Sequence, residues 1–97
     1  IVIKRIIEDI PEDIDWILRV DGHTDKTKFL SGVNFKDNWE LSQARALSVV
    51  RYFVYEEDLP AKRFAAAGFG EFQPIDLGDT QAALARNRRI EIKLTER

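Results

Sequence analysis

Four stretches of this 97-residue chain carry side chains able to meet a small charged ligand: Thr24-Asp25, Asn38, Arg45 and Asn87-Arg88-Arg89. Asn38 and Arg45 stand seven residues apart, almost two helical turns, so on a helix they share a face with Leu41 between them. Ser48 and Tyr52 continue that face. A helix N-terminus with free N–H groups, set beside an arginine fork, suits a small carboxylate. Asp25, placed opposite, suits an ammonium. Together these groups describe a receptor for a zwitterion, the head group of an amino acid, in which each charge-assisted hydrogen bond contributes roughly 1.5–3 kcal/mol. Taken singly, each residue also has a plainer use. An Asp after a Thr forms turns through its own backbone, an Arg on a helix is commonly a solvated charge, and Arg88 and Arg89 would protect an edge strand from aggregation.

Other chemistries find less support. His23 is the sole histidine and there is no cysteine, so no paired His or Cys spacing exists for a metal, and disulfides and thiol nucleophiles are absent. A lone His23 beside Thr24 and Asp25 does not make a catalytic triad, and the reading is of a non-enzyme without metal or cofactor. Gly68-Phe69-Gly70 lacks the third glycine of a dinucleotide loop and is followed by Pro74 rather than by a helix, so it reads as a strand-ending turn. Fifteen Lys plus Arg against seventeen Asp plus Glu give a net charge of −2, which leaves no basic surplus for nucleic acid. No apolar run approaches the roughly 18–20 residues needed to span a bilayer. With 44% hydrophobic, 10% aromatic and 33% charged residues, the composition is that of a folded globule with one core.

The elements that must position the candidate residues follow from periodicity. Ile3, Ile6, Ile7 and Ile10 recur at spacings of three and four, an amphipathic helix that Pro11 ends. Trp16-Ile17-Leu18-Arg19-Val20 is β-branched and apolar, a buried strand, with Gly22-His23-Thr24-Asp25 as the loop at its end. Residues 26–36 show no sustained period and predict a long surface loop. Asp37 and Glu40 fit a capping box, opening a helix to about Glu57 whose core stripe would be Leu41, Ala44, Leu47, Val50 and Val54. Residues 63–67 predict a second strand, Thr80 caps a short helix through Arg86, and residues 89–95 alternate as a half-exposed strand. Strands separated by helices predict an α/β (α+β) two-layer sandwich in which helices cover one face of a mixed sheet. Residues 1–97 read as a single domain. The chain has no Met and opens inside an apolar periodicity, so it reads as a piece of a longer protein with a further strand upstream.

Four blocks, Val20-Asp21-Gly22-His23-Thr24-Asp25, Asn38-Trp39-Glu40-Leu41-Ser42-Gln43-Ala44-Arg45-Ala46, Ala67-Gly68-Phe69-Gly70-Glu71 with Pro74 behind it, and Asn87-Arg88-Arg89-Ile90-Glu91-Ile92, resemble the OmpA-like domain family. They come in the family's order across nearly the whole chain. That family includes the peptidoglycan-binding modules of outer-membrane OmpA proteins, Pal lipoproteins and the flagellar stator protein MotB. The resemblance implies a non-catalytic domain that holds the peptidoglycan stem peptide through meso-diaminopimelate. Its site would fall on Thr24, Asp25, Asn38, Leu41, Arg45 and Arg88, with Asp25 on the ammonium, Arg45 on the carboxylate, Asn38 orienting, and Arg88 supporting the carboxylate or Asp25. The loop between Asp25 and Asn38 is longer than in the outer-membrane and lipoprotein branches, and Trp39-Glu40 follows the asparagine. Both features are more similar to the MotB branch. They imply the periplasmic part of a protein anchored in the inner membrane of a Gram-negative bacterium, with a loop that could fold over the pocket. An alternative keeps the fold but uses outward helix faces, with Tyr52, Tyr55 and Phe72, to dimerise or hold a protein partner.

Overall fold

In the computed structural model, which describes residues 2–27 and 35–96, the elements come in the order predicted: α1 (Val2–Glu8), β1 (Trp16–His23), α2 (Asn38–Arg51), β2 (Phe64–Gly68), α3 (Gln81–Asn87) and β3 (Arg89–Glu96). The three strands form one sheet in the order β2-β1-β3. β1 runs parallel to β2, with Val20 beside Ala66, and antiparallel to β3, with Val20 beside Ile92. A helical crossover is what lets β1 and β2 lie parallel, and α2 supplies it. The result is the mixed α/β sheet expected. Most of the long connection predicted over 26–36 lies outside the described residues, and so does any closure of the pocket by it.

α2 starts where its cap dictates. The Asp37 side chain accepts the Glu40 backbone N–H at 2.9 Å, which satisfies one of the free donors of the first turn. After Arg51 the helix widens into a π-helical turn over Tyr52–Glu56, so the helical path reaches almost the predicted end with a different winding. Asp58 takes a left-handed conformation at φ 56° and turns the chain toward Leu59, whose N–H bonds the Phe53 carbonyl at 3.1 Å.

The buried line of α2 is not the predicted stripe. Asn38, Ser42 and Ala46 are buried, followed by Phe53, whereas Leu41, Ala44, Leu47, Val50 and Val54 are only partly covered. The cause lies in the sheet. A side chain at Gly22 would come within 2.2 Å of the Ser42 carbonyl oxygen, and one at Gly68 within 2.6 Å of the Gln43 nitrogen. Glycines on both strands let the helix backbone settle against the sheet, and at that separation only small residues fit between. Bulkier side chains are displaced to the flanks. A larger apolar cluster then forms at the other end, where Ile7, Trp16, Leu18, Phe53 and Leu59 pack together with Phe64 and Val49 against them. Among the described residues no helix is long and apolar enough to cross a membrane.

Candidate functional site

β1 is longer than predicted. Gly22 and His23 belong to the strand, paired with Ile90 and Arg89, so the loop after it begins at Thr24 rather than at Gly22. The Thr24 N–H bonds the Gly70 carbonyl at 2.9 Å and the Phe69 N–H bonds the Gly22 carbonyl at 3.0 Å, which ties the ends of β1 and β2 together. The Thr24 hydroxyl donates to the Asp25 carbonyl at 3.0 Å.

Asp25 is buried, and its two carboxylate oxygens are divided between two partners. One accepts the Thr27 N–H at 2.7 Å; the other takes Arg88 Nη1 at 2.5 Å. Burial pushes the Asp25 carboxyl upward, but the hydrogen bonds from Thr27 and the Arg88 guanidinium outweigh it and hold the group below its ordinary range. Asp25 is therefore a carboxylate at neutral pH. Asn38, at the first turn of α2, points its amide nitrogen at three acceptors: the Asp25 carbonyl at 3.5 Å, the Thr27 carbonyl at 3.3 Å and Glu71 Oε1 at 3.3 Å. It fixes the loop that presents Asp25.

Arg88 reaches Asp25 because of what precedes it. Asn87 is buried at the end of α3, where its side-chain oxygen accepts the Ile75 and Asp76 N–H groups at 2.9 and 3.0 Å and its amide donates to the Asp76 carbonyl at 2.9 Å. That clamp sets the entry of β3. Arg88 and Arg89 then line a cleft of about 270 Å³ together with His23, Arg45 and Ile90. The three arginines differ in their engagements. Arg88 holds Asp25, while Arg89 bonds Glu91 at 2.5 Å and the carbonyls of Asn87 and Gln73 at 3.0 and 2.9 Å. Arg45 is exposed on α2, and its guanidinium has no partner among the described residues. A cleft with one uncommitted cation next to a paired Asp and Arg can take a ligand bearing both signs of charge. Leu41, half-buried one turn before Arg45, adds apolar surface on the same helix.

From sequence, Arg89 is placed among the groups at the site but has no part in the grip, and none is assigned to Glu71 or His23. Glu71 holds Asn38, Arg89 staples β3 to the loop before α3, and His23 forms a wall of the cleft. The His23 ring stacks on Phe69 at 5.1 Å, both of its nitrogens are buried without a hydrogen-bond partner among the described residues, and burial pushes its pKa down, so it stays neutral. The strand register would have revealed it: once His23 is counted in β1, it falls opposite Arg89. No group of His, Cys, Asp and Glu among the described residues has the arrangement of a metal site.

The chain is similar to several known proteins. The OmpA family profile matches residues 2–88. The chain is 41% identical over 90 residues to the uncharacterized protein YtxE of Bacillus subtilis, covering 93% of this chain and 35% of that one. It is 33% identical over 78 residues to motility protein B of the same organism, covering 80% and 30%. The chain thus spans about a third of the length of these curated relatives. Among solved structures, the C-terminal domain of Helicobacter pylori MotB superposes with a TM-score of 0.83 at 26% identity, over 99% of this chain and 70% of that one. The cell wall anchor of the T6SS from Pseudomonas aeruginosa gives 0.73 at 29% identity, over 98% and 64%.

Proposed function

Because the chain belongs to the OmpA family and has the fold of the MotB C-terminal domain, a non-catalytic architecture, we propose that it anchors a cell-envelope protein to peptidoglycan by gripping the diaminopimelate zwitterion of the stem peptide. The observation that carries this reading is the pairing of unlike arginines in one cleft: Arg88 is committed to Asp25, and Arg45 is not committed to any described group. The ligand's ammonium joins Asp25, whose carboxylate is maintained by Thr27 and Arg88. Its carboxylate goes to Arg45, with the half-exposed Arg88 able to support that carboxylate while holding Asp25. Asn38, through its bonds to the loop carbonyls and Glu71, keeps Asp25 in place as the ligand arrives. Thr24 and Leu41 complete the rim. Similarity to a structure described as a cell wall anchor supports the same direction.

On this reading the 97 residues act as one wall-binding domain facing the peptidoglycan, which in a Gram-negative cell is the periplasmic side of the inner membrane, within a MotB-like protein. Amidation of the diaminopimelate carboxylate removes the group that Arg45 binds, so an amidated stem peptide should bind roughly 10- to 100-fold more weakly in calorimetric titration, the range set by one charge-assisted hydrogen bond. Equal binding of both forms would contradict the assignment of Arg45.

A second reading, association with another copy of the chain, is favoured by Ile90, Ile92 and Leu94. They lie along β3 on the face shared with Leu18 and Val20, yet 38, 39 and 52% of their surfaces are exposed. Sedimentation equilibrium of the wild type and of Ile92→Lys tests it. A dimer that the substitution dissolves supports assembly through this face, and a monomer in both cases removes that reading.

A further inference from the structure

One buried titratable side chain at the cleft has no part in the grip on a zwitterion. His23 is 5% exposed and lines the cleft beside Arg45, Arg88, Arg89 and Ile90, yet neither ring nitrogen has a hydrogen-bond partner among the described residues. Buried polar atoms of that kind are uncommon, because an unmade hydrogen bond leaves the cost of desolvation uncompensated. Packing does not require an imidazole there. The ring stacks on Phe69 with centroids 5.1 Å apart and planes 8° from parallel, a contact that a phenyl ring would make as well.

Charges of both signs surround it. On β1, Asp21 projects from the same face of the sheet two residues earlier, with Arg19 bonded to its two oxygens at 2.7 and 3.0 Å. On β3, Arg89 is its cross-strand partner, and Glu91 brings Oε2 to 3.8 Å from His23 Nε2, with Lys93 at 3.5 Å from the other Glu91 oxygen. α2 contributes Arg45, and Arg88 stands at the entry of β3. Phe69, just after β2, brings no charge. Burial, and after it Arg89, outweigh the pull of Glu91 and Asp21, so the imidazole of the free protein is neutral. A partner for the protonated ring is nevertheless in place, since a shift of under about 1 Å would bring Nε2 within hydrogen-bond range of Glu91.

A bound carboxylate changes this balance. The cleft that His23 lines holds three arginines and no acidic side chain, and Asp25, the partner of the ligand's ammonium, is not part of its lining. The anionic end of the ligand is therefore the end that enters beside the ring. A negative charge within about 4–6 Å favours the charged form of a histidine, and a carboxylate on Arg45 also offsets the cationic field that keeps this ring neutral.

We infer that His23 is a proton-coupled specificity residue of the cleft: when the ligand's carboxylate settles on Arg45, the imidazole takes up one proton from solvent and closes on Glu91, so the carboxylate form of the ligand is held more tightly in mild acid. This inference rests on the stem-peptide reading and adds to it a dependence on pH. The sign follows from linkage: the His23 pKa is higher in the complex than in the free protein, so affinity is greatest below the free-protein value and falls to its lower level as pH rises past the value in the complex. Other groups stay fixed over this range. His23 is the sole histidine and there is no cysteine, while hydrogen bonds and nearby cations hold Asp25 and Glu91 below their ordinary values. The ligand's own carboxylate titrates below about 4 and its ammonium above about 7.

The test titrates a diaminopimelate tetrapeptide and its amidated form into the protein by calorimetry between about pH 5 and pH 7, and follows the sole imidazole by NMR with and without peptide. The free ring should titrate below the ordinary 6.5 and the ring in the tetrapeptide complex at a higher pH. Affinity for the tetrapeptide should rise about five- to tenfold from pH 7 to pH 5, with proton uptake seen as a heat that changes with the buffer. The amidated peptide should leave the imidazole midpoint where it stands in the free protein. His23→Phe keeps a ring against Phe69 and should lose the pH dependence, whatever its affinity at pH 7. A tetrapeptide that binds equally across the range, with an unmoved imidazole midpoint in the wild type, overturns the role of His23 and leaves the stem-peptide site standing. The same rise in acid in His23→Phe assigns it to another group and overturns the inference too. If neither peptide binds at any pH, the stem-peptide reading falls and takes this inference with it.

Discussion

Arg45 and Arg88 line one cleft in different electrostatic states, and that difference sorts the expected effects of changing them. Arg45→Ala removes a guanidinium with no partner among the described residues, so the melting temperature should stay nearly unchanged while affinity for a diaminopimelate peptide falls roughly 10- to 100-fold in calorimetric titration. Arg88→Ala instead leaves the buried Asp25 carboxylate with its Thr27 hydrogen bonds alone, and it should weaken both binding and stability. Asp25 also carries a pH signature. Its folded-state pKa lies below the ordinary 3.8, so its contribution to stability is fully present above that value and is lost as pH falls through the lowered one. The difference in melting temperature between wild type and Asp25→Asn should be constant from pH 7 down to about 5 and shrink as the medium is acidified below about 4; a difference that grows in acid would contradict the sign. The meeting of Asp25 with the Asn-Arg-Arg block could be read in the sequence because residue type and order are enough to suggest it. The engagement of each arginine could not, since it depends on distances of a few ångströms between elements.

Placement of α2 rests on glycines rather than on a hydrophobic stripe. Gly22→Ala or Gly68→Ala would put a methyl group inside the helix backbone, and overpacking of that kind costs about 1–3 kcal/mol or more. Both variants should melt well below the wild type, and an unchanged melting temperature in either would mean that the helix does not sit so close to the sheet. The cap is a smaller term: Asp37→Ala should cost about 1 kcal/mol in denaturant titration, since its side chain holds a single N–H group. Element order and the cap were legible because they depend on local spacing and on Asp37 at the start of a periodic run. The face of α2 that turns inward was not. Leu41, Leu47 and Val50 look like the core by hydropathy, whereas close approach to Gly22 and Gly68 favours Ser42 and Ala46. Likewise, the extension of β1 through His23 follows from pairing with Arg89, a contact between residues far apart in sequence.

The whole molecule is less compact than its length allows, with a radius of gyration of 15.1 Å against about 12–13 Å for a close-packed chain of this size. Three strands with helices on one face leave β3 at an edge, and Ile90, Ile92 and Leu94 remain partly in water. Cohesion is therefore concentrated in the cluster around Phe53, Trp16 and Leu18. Phe53→Ala should cost about 3–5 kcal/mol and lower the melting temperature by roughly 15 °C or more. The family could be read at this scale because its four blocks occur in order, and the fold bears it out; the uncovered face of β3 is a property of the assembled sheet, with no local marker in the sequence. Wall anchoring is tested most directly by co-sedimentation of the purified protein with insoluble peptidoglycan containing meso-diaminopimelate, wild type beside Arg45→Ala and Asp25→Ala, with circular dichroism confirming that each variant is folded. Wild type in the pellet and both folded variants in the supernatant is the expected result. Wild type in the supernatant, or Arg45→Ala pelleting as well as wild type, would contradict it.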